Sequence, residues 1–195
     1  MEFLDASMDY PNEIKIKVII VGKCKTGKST FNFRLKTKNY SEFKSLNKFY
    51  ISTVGFEFFS SKIKIKNKIL HFQLWDTGGQ ELYQSLISNF YRNTSIFFIF
   101  YDASDKDSFN RAKSFYKDIK NADNKNPIYV LIRSRYEIAL NSNDKKNIVT
   151  DEEALEYAEK NNLHFFHIGI FEKYETGIID LMKFVVYEYI KRNNI

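Results

Sequence analysis

The reading of this chain turns on Gly22-Lys23-Cys24-Lys25-Thr26-Gly27-Lys28-Ser29. Two glycines frame four residues, and Lys and Ser follow at once. This is the phosphate-cradling P-loop spacing. The glycines let the backbone curl so that its N–H groups point inward at an anion. The lysine ammonium then meets the terminal phosphates, and the serine hydroxyl is placed to ligate Mg²⁺. The flanks agree. Ile14 to Val21 starts with alternation and ends apolar, as an internal strand does. Ser29 to Thr37 reads as a helix whose N-terminus faces the phosphates. Gly22 through Ser29, with Thr30 after them, are therefore the candidate phosphate-binding residues.

Outward from this stretch, short β-like runs alternate with helical patterns. Glu57 to Lys66 and Lys68 to Asp76 both alternate and are joined by a turn at Lys66-Asn67-Lys68, which predicts a hairpin. Leu82 to Arg92 reads as helix. Ser95 to Tyr101 and Pro127 to Ile132 are apolar runs of the kind buried on both faces of a sheet. Asp107 to Asn121 is an amphipathic helix with Asp107 as its expected N-cap. Thr150-Asp-Glu-Glu153 fits a capping box opening a helix to Asn161. His164 to Ile168 is a short strand, and Glu175 to Lys191 the last helix. Strands separated by helices predict a doubly wound α/β fold with helices on both faces. The expected sheet is mostly parallel, of about six strands, with the hairpin adding one antiparallel edge strand. Residues 1–13 read as an N-terminal extension, 14–192 as one domain, and 193–195 as a short end.

Composition narrows the classes further. The chain has 195 residues, 30 Lys plus Arg against 24 Asp plus Glu, and one cysteine, Cys24. That length suits one domain, and one cysteine excludes an internal disulfide or a Cys-rich zinc module. Met1 to Asp5 lacks the basic and apolar regions of a signal peptide. Ile96 to Tyr101, the longest apolar stretch, is far below the ~18 residues of a membrane span. A cytoplasmic protein is the expectation. The net charge of +6 is spread as lysines among acids, so a solvated surface rather than a nucleic-acid site is expected. Lys62, Lys64, Lys66 and Lys68 alternate, and read as a solvated row protecting a sheet edge. His71, His164 and His167 share no ligand-like spacing and read as strand or core positions.

A second signal closes the hairpin: Trp75-Asp76-Thr77-Gly78-Gly79-Gln80-Glu81. An Asp at the end of a buried strand beside a P-loop is positioned to hold Mg²⁺. The Gly79 N–H can approach a γ-phosphate unobstructed, and Gln80 can orient an attacking water.

With these motifs in place, residues 14 to 192 resemble a Ras-superfamily small GTPase, and more specifically a Rab. Ile51-Ser-Thr53-Val-Gly55-Phe-Glu-Phe58 is similar to the Rab switch I segment, and Phe72 to Glu81 to switch II. Tyr91-Arg-Asn and Tyr101-Asp-Ala-Ser-Asp-Lys-Asp-Ser-Phe109 continue the likeness. The resemblance implies a P-loop NTPase G domain that binds GTP or GDP with Mg²⁺ and hydrolyses GTP slowly. It implies Ser29, Thr53 and Asp76 at the metal, Tyr40 against the guanine, and Lys28 and Gln80 as the catalytic pair. It implies effectors, exchange factors and activators meeting switch I at Val54, Gly55 and Phe56, and switch II at Trp75, Leu82 and Tyr83. A monomer is expected. A P-loop kinase is disfavoured by Thr77-Gly-Gly-Gln80.

The chain also departs from that family. Its guanine-reading Asn-Lys-x-Asp is replaced by Ser134-Arg135-Tyr136-Glu137. Glu137 offers the aspartate's charge on a longer stem, and the Arg135 stem can cover a base as lysine does. Gly169-Ile170-Phe171 stands in for Ser-Ala-Lys, with the Ile170 N–H as the expected contact. Cys24 and Lys25 replace small residues. The stretch from Tyr40 to Thr53 is longer than the family's. The chain ends Lys191-Arg-Asn-Asn-Ile195 without the cysteine that prenylation needs, so no lipid anchor is expected in it. These departures support an alternative expectation, a Rab-shaped interaction module with weak or absent turnover.

Overall fold

A computed structural model describes residues 1–36, 55–78, 90–122, 126–136, 139, 144–169 and 177–195. The strands are β1 Glu2–Leu4, β2 Glu13–Gly22, β3 Phe56–Ile65, β4 Lys68–Thr77, β5 Ile96–Asp102, β6 Ile128–Ser134 and β7 His164–His167. The helices are α1 Lys28–Lys36, α2 Lys106–Ala122, α3 Asp151–Lys160 and α4 Ile178–Asn193. One seven-stranded sheet runs in the order β1-β3-β4-β2-β5-β6-β7. Strands β4, β2, β5, β6 and β7 are parallel, while β3 is antiparallel to β4 and β1 antiparallel to β3.

Period-two alternation in β2 builds a core on each face of the sheet. Ile16, Val18 and Ile20 pack with Phe31 of α1 and Leu181, Met182 and Val185 of α4. Ile19 and Val21 pack on the other side with Phe109, Ala112 and Ile119 of α2 and Ala154 and Ala158 of α3. Every residue of β5 is buried, as its unbroken apolar run predicts. Among the described residues no helix is long and apolar enough to cross a membrane.

The expected α/β fold is present, with one strand more than expected. Residues 2–4, read as part of an extension before the domain, form β1, with Phe3 opposite Ile63. The hairpin strand β3 is thereby not the edge of the sheet. The lysine row is corrected accordingly. Lys64, Lys66 and Lys68 are exposed. Lys62, however, is 2% exposed, donating to the Met8 carbonyl at 2.5 Å and lying 2.7 Å from Glu13 Oε1. Alternation identified its face correctly but carried no information on what covers that face.

The α2 cap is also corrected. Asp105, not Asp107, accepts from the backbone N–H groups of Asp107 and Ser108. The Thr150 hydroxyl does accept from Glu153 N–H at 3.2 Å, as half of a capping box. The Glu153 carboxylate instead pairs with Lys106 at 3.2 Å and lies 3.7 Å from Lys113, which joins α3 to α2. The hairpin turn is where it was expected, with Lys66 at φ +52°. Only the end of the expected helix Leu82–Arg92 lies within the described residues.

Candidate phosphate-binding site

The parallel strands end together at Gly22, Thr77, Asp102 and Ser134. The sheet order reverses at β2, whose neighbours are β4 and β5, and such a reversal opens a crevice at the strands' carboxyl ends. The Gly22–Lys28 loop lies in that crevice. Gly22 has φ +151°, and a Cβ there would stand 2.6 Å from the Phe100 carbonyl, so only glycine lets the loop leave the sheet here. Gly27 accepts from the Phe31 N–H at 2.9 Å and opens α1.

The loop is braced by its own side chains. The Thr26 hydroxyl donates to the Lys23 carbonyl at 2.8 Å. The Lys28 ammonium, 6% exposed, donates to the carbonyls of Gly22 at 2.8 Å and Lys23 at 3.1 Å. Burial pulls its pKa below the ordinary lysine value, against the attraction of Asp76. Thr30, in the first turn of α1, is buried.

Asp76 reaches the same crevice from β4, whose end is tied to β2 by the Thr77 hydroxyl donating to the Ile20 carbonyl. The Ser29 hydroxyl donates to Asp76 Oδ2 at 2.5 Å. Asp76 is fully buried, and its Oδ1 has no hydrogen-bond partner among the described residues. Burial pushes its pKa up to about 6, although Lys28 and Ser29 pull it down. A buried carboxylate oxygen without a donor, beside a serine hydroxyl, is what a hard divalent cation satisfies. The residues present therefore fit Mg²⁺, with Ser29 and Asp76 as the described part of its donor set.

Three expected phosphate-site residues behave differently. Lys23 turns away and pairs with Asp105 at 2.9 Å and Asp107 at 2.7 Å. Those carboxylates raise its pKa and leave its charge spent on the start of α2. Lys25 is exposed at φ +69°, a left-handed conformation that glycine would adopt without strain. Cys24 is half-buried between them. The base side departs too. The Ser134 hydroxyl lies 2.8 Å from the Thr26 carbonyl and 3.0 Å from that of Tyr101. Its single hydrogen serves one of these carbonyls and leaves none for a base. Arg135 has φ +55° and lies 3.4 Å from Asp102. Gly169 is buried just after β7. Tyr40, Thr53, Val54, Gly79, Gln80, Leu82, Tyr83, Glu137 and Ile170 lie outside the described residues.

Sequence reasoning missed two groups here. Asp105 joins the loop to α2, and its signal was a cap residue three positions before Ser108. Phe90 stacks on Phe56 at 4.3 Å and meets Trp75 at 5.9 Å, while Phe58, 47% exposed, meets Trp75 at 4.9 Å. Gly55 and Phe56 begin this aromatic patch, and the Gly78 N–H donates to the Gly55 carbonyl at 2.8 Å.

Asn32 of α1 is 1% exposed, and neither amide atom has a partner among the described residues. An unpaired buried polar group costs about 1–3 kcal/mol. Asn32→Leu, which keeps the branched shape of the side chain, is expected to raise the melting temperature by roughly 2–4 °C per kcal/mol recovered. Scanning calorimetry decides this, and an unchanged or lower value would show that the amide is satisfied in solution.

The sequence profile of the Ras family matches residues 17–183. The chain belongs to the Ras family. Within it the chain is Rab-like. It is 32% identical to the Ras-related protein Rab5 of Nicotiana tabacum over 181 residues, covering 93% of this chain and 82% of that protein. It is 34% identical to the Ras-related protein RHN1 of Nicotiana plumbaginifolia over 154 residues, covering 79% and 72%. It is 30% identical to the Ras-related protein Rab-1 of Theileria parva over 179 residues, covering 89% and 76%.

Proposed function

We propose that this protein is a guanine-nucleotide switch of vesicle trafficking that binds GTP or GDP with Mg²⁺ and hydrolyses GTP slowly. The observation that carries the reading is the convergence of Lys28, Ser29 and Asp76, with one Asp76 oxygen left without a donor among the described residues. Lys28 opposes the charge gathering on the transferring phosphoryl group, and the loop N–H groups hold its oxygens. Ser29 and Asp76 would hold the cation, which would supply positive charge to the phosphates. Thr53 and Gly79 sense the γ-phosphate, and Gln80 orients the water. Glu137, Tyr40, Gly169 and the Ile170 N–H complete the base site. The protein works as a monomer in the cytoplasm and is brought to membranes by partners. Effectors, exchange factors and activators meet it at Val54, Gly55 and Phe56 and at Trp75, Leu82 and Tyr83.

One observation favours a second reading, an interaction module with crippled turnover: the Ser134 hydroxyl is committed to backbone carbonyls. Heating the purified protein and chromatographing the released material separates the two. Stoichiometric GDP or GTP is expected. An empty protein that also ignores added GTP in calorimetry overturns the switch. Turnover is then read from Gln80→Leu, expected to slow hydrolysis; an equal rate removes Gln80 from the mechanism.

A further inference from the structure

Residues 1–13 carry Glu2, Asp5, Asp9 and Glu13 and no Lys or Arg. They lie along the outer edge of β3, which bears Lys62 and Lys64. The pairing is that of a peptide added to a sheet. Glu2 stands opposite Lys64, and Leu4 opposite Lys62. Phe3, like Leu35, packs against the core cluster that includes Ile63. Beyond the ladder, Lys62 donates to the Met8 carbonyl and sits 5.4 Å from the Tyr10 ring.

The attachment is shallow. The ladder joins three residue pairs. Met8 is 57% exposed, and Asp9 lies 3.9 Å from Lys62 with its side chain fully exposed. A cavity of about 510 Å³, lined by Phe3, Leu4, Leu35, Ser60 and Ser61 among others, remains beside the anchor. Glu13 belongs to β2 rather than to the covering segment, so Lys62 keeps its carboxylate when that segment leaves.

We propose that the outer edge of β3 at Lys62–Lys64 is a docking site for an extended acidic segment with an aromatic anchor, supplied by a partner protein. The chain's own residues 1–12 are its resident occupant. Backbone ladder bonds supply affinity, Lys64, opposite Glu2, favours acidic segments, and the slot at Phe3 selects the anchor. This site is separate from the Phe56–Trp75 patch and does not depend on the nucleotide reading.

A labelled peptide with the sequence of residues 1–12 tests this on the full chain. Phe3→Ala and Phe3→Ala/Leu4→Pro loosen the resident segment, the second by also removing a backbone donor. The loosened chain is expected to bind the peptide about ten-fold tighter than wild type, because the competitor is weakened. Adding the exposed-site change Lys64→Glu should cost about ten-fold, and a peptide with Glu2, Asp5 and Asp9 replaced by Lys should not bind. Hydrogen exchange at Lys62–Lys64 reports whether the edge has opened. Protected amides in both variants overturn the proposal, because the edge is then permanent. So do open amides without peptide binding, or equal binding of the charge-reversed peptide. Concentration-dependent dimerisation of the loosened chain also overturns it, by assigning the edge to a second copy.

Discussion

Lys28→Ala is expected to leave a folded protein that no longer retains GDP or GTP. The ammonium is held at the crevice by the carbonyls of Gly22 and Lys23, 6% exposed and at a depressed pKa caused by burial. Two carbonyls compensate a buried cation poorly, so the fold gains little from this lysine. A polyanionic ligand compensates it fully. Removing one partner of a buried, hydrogen-bonded charge pair costs about 2–5 kcal/mol, roughly 30- to several-thousand-fold in affinity. Thermal melts of Lys28→Ala should match wild type or exceed it, while calorimetry with GDP shows the loss. Lys23→Ala is the comparison. Its charge is already spent on Asp105 and Asp107, so its effect on affinity is expected to be much smaller. Equal Kd values for wild type and Lys28→Ala would remove Lys28 from the phosphates.

The P-loop was legible because its chemistry dictates its spacing: glycines where the backbone must curl, then lysine and serine where phosphate and metal sit. The hairpin was legible because Lys66 and Asn67 separate two alternating runs. Strand β1 was not, because three residues carry no period and their partners lie some sixty positions away. Local pattern also fails to say what lies over a face. Lys62 and Lys64 share a face and a residue type, and one is buried while the other is exposed. At the base site the substitution of Ser134 was visible, but the direction of its hydroxyl depends on carbonyls from the P-loop and β5. The roles of Thr53 and Gln80 rest on family likeness, since both lie outside the described residues.

Lys62→Met is expected to be the most destabilising single substitution at the sheet edge, and a second substitution should rescue it. Glu13 is 8% exposed, accepts from the Tyr10 N–H, and has its carboxyl held below the ordinary range chiefly by Lys62. Without Lys62 that carboxylate stays buried with only the Tyr10 N–H and His71 beside it, and losing its cation costs up to about 3–5 kcal/mol. For a domain whose total stability is ~5–15 kcal/mol, this is a large fraction. Glu13→Gln removes the charge and keeps an acceptor for Tyr10. The double variant should therefore recover most of the loss, since a buried pair gains little over neutral groups of similar size. Acid titration gives an independent check. A carboxyl with a depressed folded pKa stabilises above its unfolded value, near 4.5, and that contribution is lost as pH falls through the folded value. His71, 2.9 Å from Glu13 Oε2 and 2.7 Å from the Ser60 hydroxyl, has its pKa lowered mainly by burial. Its protonation favours the unfolded chain, so stability also falls from about pH 6.5 downward. Below about pH 4.5 wild type should lose more stability than the double variant, in which Asp105 still contributes to that window. Additive effects in denaturant, or an equal loss of stability by wild type and double variant below about pH 4.5, would show that Lys62 and Glu13 do not act as a pair.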